Sequence, residues 1–435
     1  MKKVGFHTLG CKVNQYETQA MIEMFKKAGY EVVDFEQFAD IYLINTCTVT
    51  SFGDKKSRQV IRRAQRSNPE AIIAVVGCYS QISPEEVEKI EGVDVIAGTG
   101  ERAKIVQMIE SADKAKKVRS VTDIMKQREF EETGFITYNE RTRAFIKIQE
   151  GCDSFCSYCI IPYARGPVRS RSKEGIVSEV ESLGDNGFKE IVLTGIHLTS
   201  YGKDIRNTSL IEIVEEINQI PSIQRIRLGS LEPNFVTEES IAKIKKIQKL
   251  CPHFHISLQS GSDSVLKRMN RKYSAEEYRD KVKMLRAHIP DVSVTTDIMA
   301  GFPAETKEEF EETYNFLESL SLSKTHVFKY SPRKGTPAAS YPNQVDIKTK
   351  EERSNLLLEL SDRKEFEFNS RFIGRTMEVL FEQESDFQKG YLEGHTDNFI
   401  RIAAKAEKDY IGEFGQVKLQ AIEKGLVIGE NTRLF

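Results

Sequence analysis

The run GCDSFCSYC, from Gly151 to Cys159, follows directly on the apolar strand candidate Ala144–Ile148. A CxxxCxxC in that place sets three thiols on one tight loop at the carboxyl end of a strand. Three thiolates hold three irons of a 4Fe–4S cluster and leave the fourth iron without a protein ligand. An open iron can chelate the amino and carboxylate groups of S-adenosylmethionine and pass an electron to its sulfonium. The products are methionine and a 5′-deoxyadenosyl radical, so the cofactor carries the hard chemistry and the protein positions it. The competing reading is a zinc site, but structural zinc wants four ligands and no fourth Cys or His lies nearby in sequence.

Around this loop the chain alternates strands and helices. Residues 1–112 carry the apolar runs Val4–Leu9, Ile41–Asn45, Ala71–Gly77 and Val93–Ala97, separated by amphipathic stretches such as Glu17–Ala28 and Pro84–Ile90. That alternation predicts an amino-terminal parallel α/β sheet domain. Residues 113–143 are strongly charged and aperiodic, as in a linker. Over 144–370 six strand candidates begin at Ala144, Glu190, Arg225, His253, Val292 and Thr325, with helical patterns between them. Six units make a partial (β/α)6 barrel, short of the full eight, with the cysteine loop at its mouth. In 371–435 short alternating runs broken by glycines predict a small β-barrel of oligonucleotide-binding type.

A second set of cysteines is scattered in sequence. Cys11, Cys47 and Cys78 each end an apolar strand candidate: VGFHTLGC, IYLINTC and IIAVVGC. Neighbouring parallel strands share one carboxyl edge, so the three thiols converge at a crevice and again suit a cluster with one open iron. The alternative is three unrelated buried thiols. Cys251, His253 and His255 alternate and mimic a metal face, but a core thiol and two lumen imidazoles are the simpler reading. Seven cysteines, an odd number in a long chain, do not make a disulfide framework. The start turns polar at once and no apolar run reaches membrane-spanning length, so the expectation is a cytoplasmic protein with no membrane partner.

GCKVNQYET at Gly10–Thr18, NTCTV at Asn45–Val49, VVGCY at Val75–Tyr79 and GCDSFCSYCIIPYARG at Gly151–Gly166 together resemble the methylthiotransferases, radical S-adenosylmethionine enzymes with two 4Fe–4S clusters. RLGSLEP, SLQSGSDSVLKRMNR, DIMAGFPAET and YSPRKGTPA extend the resemblance through the core, and the last segment is similar to a TRAM domain. The family's branches act on isopentenyladenosine in tRNA, on an aspartate of a ribosomal protein, or on threonylcarbamoyladenosine at tRNA position 37. LGCKVNQYET and FIKIQEG resemble the third branch; the other two typically read GCQMN and GCPKN at the first cysteine.

The resemblance implies two roles for S-adenosylmethionine. One molecule methylates sulfur at the auxiliary cluster of Cys11, Cys47 and Cys78. A second is cleaved at the cluster of Cys152, Cys156 and Cys159, and the radical takes hydrogen from C2 of the adenine. Tyr158 resembles the aromatic position beside the cofactor adenine. Thr194, Gly195, Ser230, Glu232, Gln259 and Gly301 lie just past strand candidates, where they would hold the cofactor or serve simply as loop residues. Asn14 and Thr48 either order the auxiliary site or cap helices. The implied partners are the tRNA anticodon loop and a reductant such as flavodoxin or ferredoxin.

Charge points to RNA in two places. Lys55, Arg58, Arg62 and Arg66 form one stripe at helical spacing, and Arg165, Arg169, Arg171 and Lys173 follow the radical loop with no acidic residue among them. A solvated helix face is the alternative for the first stripe. Residues 371–435, with nine Lys or Arg against eleven Asp or Glu, are not a basic module, so RNA binding there would rest on shape and stacking. A zinc-stabilised RNA-binding protein without catalysis is the non-enzymatic alternative.

Overall fold

In the computed structural model, residues 1–114, 117–134, 142–206 and 208–434 are described. The first sheet comprises β1 (Lys3–Thr8), β2 (Glu31–Val33), β3 (Ile41–Thr46), β4 (Ile72–Gly77), β5 (Val93–Ala97) and β6 (Val118–Ser120). All pair in parallel, in the order β2-β1-β3-β4-β5-β6. The strands read as unbroken apolar runs because helices cover both faces, giving two separate core clusters. The order in which strands are added reverses between β1 and β3, so a crevice opens at their carboxyl ends. β2 and β6, three residues each, are too short for their periodicity to show in sequence. β6 also corrects part of the expected linker, since it completes the first sheet. Positions 115, 116 and 135–141 of that linker lie outside the described residues.

The central unit holds β7 (Arg143–Glu150), β8 (Arg169–Ser170), β9 (Glu190–Gly195), β10 (Arg225–Leu228), β11 (His253–His255), β12 (Ser293–Ala300) and β13 (Lys324–Lys329). They run β8-β7-β9-β10 and then β11-β12-β13, with single bridges Ile226–Leu250 and Leu231–Ile256 joining the halves. The result is the expected six-stranded partial barrel, with the two-residue β8 antiparallel on its edge. Ala144, Ile146, Ile148, Ile191, Leu193, Ile226, Leu228, Phe254 and Ile256 all join the core under the outer helices. Their alternating neighbours, among them Phe145, Lys147, Arg227, His255 and Asp297, therefore face the lumen.

After the helix Ile347–Ser370, strands β14 (Thr376–Glu384), β15 (Tyr391–Thr396), β16 (Arg401–Lys405), β17 (Phe414–Glu423) and β18 (Leu426–Leu434) close a barrel in the order β14-β15-β16-β18-β17. It seats against the amino-terminal ends of the core strands. Arg225 donates to the carbonyls of Glu378 and His395, and Arg227 to those of Thr396 and Asp397. The Phe399 ring stacks on His253 and His395 at 4.7 and 4.5 Å. His253 is thus a packing residue, Cys251 is buried, and His255 faces Asp297 at 3.2 Å. Among the described residues no helix is long and apolar enough to cross a membrane.

Candidate active site

Cys11, Cys47 and Cys78 follow β1, β3 and β4 on the shared edge. Gly10 approaches the Cys47 side chain so closely that an added Cβ would lie 3.0 Å from its Sγ. Asn14 ties the edge together: its amide donates to the carbonyls of Leu9 and Thr46, at 2.7 and 3.0 Å. Burial pushes the Cys78 thiol up to about 12 against the pull of Arg165, and the nearby Cys47 and Cys11 push the same way. Three thiolates in such surroundings need positive charge set between them, which iron ions supply and a protein core does not. Among the described residues no three His, Cys, Asp or Glu side chains converge on a point fit for one metal ion. The donor chemistry fits a cluster, whose ligands are spread around several irons.

The second trio leaves β7 through Gly151. Its φ is +73° and an added Cβ would stand 1.8 Å from the Pro167 carbonyl oxygen, so only glycine fits. Beyond it the loop is anchored from outside. Ser157 donates through its backbone to Met269 and through its hydroxyl to Arg268, both carbonyls of the SLQSGSDSVLKRMNR segment. The Cys159 thiol is pushed up to about 12 by burial and by Cys156. Arg271 Nη1 lies 3.3 Å from Cys156 Sγ, and its other nitrogen holds Glu232 at 2.5 Å. A cavity of about 630 Å³ opens here, lined by Cys156, His197, Glu232, Asn270, Arg271 and Tyr273 among others.

Of the residues assigned to the cofactor from sequence, Glu232 lines this cavity. Tyr158 packs edge-on against Phe302 behind the loop, with ring centres 6.5 Å apart. Thr194 is buried and Gly195 packs on Gln149, while Ser230 is exposed beyond β10. Gln259 adopts a left-handed φ of 73° and bridges to β12. The Gly301 amide donates to Glu305, in a turn packed on Lys350. Thr48 accepts from Arg333, which also holds Asp54, so it joins the sheet domain to the barrel's closing loop.

The arginines after the radical loop correct the sequence reading. Arg165, Arg169 and Arg171 are at most 2 % exposed and are not presented to phosphates. Arg165 holds Glu17 and Glu150, Arg171 holds Glu179 and Glu132, and Arg169 donates to the Pro167 carbonyl. Lys173 is at the surface, paired with Glu216. The other stripe remains accessible on the helix Ser51–Ser67. Lys55, Arg62 and Arg66 are exposed, whereas Arg58 is half-buried and donates to the Tyr79 hydroxyl.

Several residues of the site carried no sequence signal. Glu17 and Glu150 meet Lys147, Arg102 and Arg165 in one buried ion network where the helix Lys12–Lys27 rests on β7. Gln149 donates to the Gly151 carbonyl at 2.8 Å and accepts from the His197 amide at 2.7 Å, tying the radical loop to the loop after β9. Arg271 stood inside a quoted motif, and its contact with Cys156 needs the fold to be seen.

An open six-stranded barrel with three thiols at its mouth defines the class, the radical S-adenosylmethionine proteins. The family model described as Radical SAM superfamily matches residues 146–317, and one described as Uncharacterized protein family UPF0004 matches 3–98. The threonylcarbamoyladenosine tRNA methylthiotransferase MtaB of Bacillus subtilis is 46% identical over 96% of this chain and 94% of its own length. That of Aquifex aeolicus is 40% identical over 94% and 98%. The tRNA-2-methylthio-N(6)-dimethylallyladenosine synthase of Acetivibrio thermocellus is 36% identical over 98% and 90%. The radical S-adenosylmethionine methyltransferase TsrM of Kitasatospora setae shares the fold, with a TM-score of 0.58 and 16% identity over 78% of this chain and 77% of its own. The chain belongs to the methylthiotransferase family of radical S-adenosylmethionine enzymes.

Proposed function

We propose that this enzyme transfers a methylthio group to C2 of N6-threonylcarbamoyladenosine at position 37 of tRNA. The observation that carries the reading is the pair of three-thiol sets, each at the strand ends of its own domain, with Arg165 reaching from the radical loop to Cys78. Two 4Fe–4S clusters would be held by Cys11, Cys47, Cys78 and by Cys152, Cys156, Cys159, and when bound they supply reductive cleavage of S-adenosylmethionine and a sulfur for transfer. The protein's own part is geometric. Gln149 and Ser157 fix the radical loop, Arg271 neutralises charge beside Cys156, and Glu232 offers a carboxylate to the cofactor's cationic end. Asn14 and Arg165 fix the auxiliary edge relative to that loop.

The parts would be a cluster domain over 1–112 joined by β6 from the expected linker 113–143, a radical core over 144–370 and a TRAM domain over 371–435. Lys55, Arg62 and Arg66 would meet phosphates of the anticodon stem and loop, and a flavodoxin or ferredoxin would supply electrons. Relatives 46%, 40% and 38% identical carry the threonylcarbamoyladenosine name, which favours that substrate over isopentenyladenosine or a ribosomal-protein aspartate. Mass spectrometry of tRNA nucleosides from a strain lacking the gene tests it. Loss of 2-methylthio-N6-threonylcarbamoyladenosine alone is expected; loss of the isopentenyl product instead would overturn the substrate.

A further inference from the structure

The barrel lumen holds a cation that neither thiol set uses. Lys12 is the first residue of the helix Lys12–Lys27, which rests on β7 and β9, so its side chain meets the inner face of the barrel. Its Nζ lies 5.4 Å over the ring of Phe145. Lys12 is accessible to solvent, and among the described residues it forms no ion pair.

The other charges around it are already matched. Arg227 holds Glu190 at 2.9 Å and Arg143 holds Glu382 at 2.7 Å, while Asp297 faces His255. Both arginines also lie over the Phe399 ring, at 4.7 and 5.4 Å. Two like charges, Arg143 and Arg227, stand near it, with Glu190 the opposing one. A cation at the start of a helix also opposes the helix dipole, and no acidic residue in the first turn offsets it. Apart from the Phe145 ring, fold stability gives little reason for a lysine here.

Across the lumen, β13 turns His326 and Phe328 inward, opposite Val327, which packs on the core under the outer helices. Both are exposed, Phe328 to 53%, and His326 lies 5.5 Å from the His255 ring. An accessible aromatic ring in the same lumen as an unmatched cation suits a splayed-out base that carries an acid.

We infer that Lys12 seats the carboxylate of the substrate's threonylcarbamoyl group and so sets substrate choice. This rests on the substrate reading above. The threonyl unit ends in a carboxylate, whereas an isopentenyl group is uncharged and would offer the ammonium no partner. Lys12 adjoins Cys11, so an acid held there places the modified base beside the auxiliary edge.

Equilibrium binding by the iron-loaded protein tests this. The probes are a tRNA carrying threonylcarbamoyladenosine, the same tRNA without that group, and the modified tRNA with its carboxylate amidated. Wild-type protein should prefer the first by about tenfold, the scale of one charge-assisted hydrogen bond. Lys12→Gln should bring that preference close to one, and Lys12→Arg should restore most of it. Iron content of each variant is measured alongside, because residue 12 neighbours a cluster cysteine. Amidation should abolish the preference in the wild type, a result that depends on no variant. A wild-type preference that survives both Lys12→Gln and amidation overturns the carboxylate seat alone. A wild type with no preference overturns the substrate reading together with it.

Discussion

Arg165 Nε stands 3.3 Å from Cys78 Sγ, although Arg165 belongs to the radical loop's own helix and Cys78 follows β4 in the other domain. The rest of the guanidinium holds Asn14, Glu17 and Glu150. Burial alone disfavours its charge, but Cys78, Glu17 and Glu150 raise its pKa well above the usual arginine range. One side chain thereby fixes how the two thiol sets face each other. Arg165→Met leaves two buried carboxylates, Glu17 and Glu150, each one partner short. It should lower stability by about 3–5 kcal/mol in chemical denaturation, the cost of breaking a buried ion pair from one side. Arg165→Lys should lose less, since it keeps the charge and gives up the fork.

Gly151→Ala should unmake the radical site selectively. The new Cβ collides with the Pro167 carbonyl and the backbone φ is one that L side chains avoid, so the loop has to move. Purified without oxygen, the variant should hold about half the wild-type iron, because Cys11, Cys47 and Cys78 are untouched. An undiminished iron content would show that the loop tolerates the shift.

Acid should loosen the contact between the radical loop's support and the helix Lys307–Ser319. Arg268, with Ser264 and the Thr306 amide, holds the Glu309 carboxyl down to about 2 from an ordinary 4.5. A depressed folded-state pKa contributes stability that is present above 4.5 and lost as pH falls from there towards 2. Glu309→Gln should therefore be less stable than wild type at neutral pH and lose less on going to pH 3, as read from denaturation midpoints. Parallel pH profiles for the two proteins would contradict this.

The parts legible in sequence were those in which local pattern and chemistry coincide. Cys152, Cys156 and Cys159 share one loop, and Cys11, Cys47 and Cys78 each end an apolar run, so strand prediction alone placed them on common edges. The six core strands were legible because short apolar runs alternate there with helical patterns along the chain. Arg165, Arg169 and Arg171 were misread because a run of basic residues looks the same whether water or carboxylate surrounds it. The partner that buries Arg165, Glu17, lies 148 residues away. Gln149 and Arg271 were silent as site residues for the same reason, and Lys12, though part of the motif that separates the branches, has its place in the lumen only where separate elements meet. The short strands β2 and β6 escaped because three residues carry no periodicity.

The division of labour between the two thiol sets is tested most directly by Cys11→Ala assayed anaerobically with reductant, S-adenosylmethionine and tRNA bearing threonylcarbamoyladenosine. The wild type should release 5′-deoxyadenosine and form the methylthio nucleoside. Cys11→Ala should still release 5′-deoxyadenosine while forming no methylthio nucleoside, since Cys152, Cys156 and Cys159 are intact. Methylthio product at the wild-type level from Cys11→Ala would contradict the account.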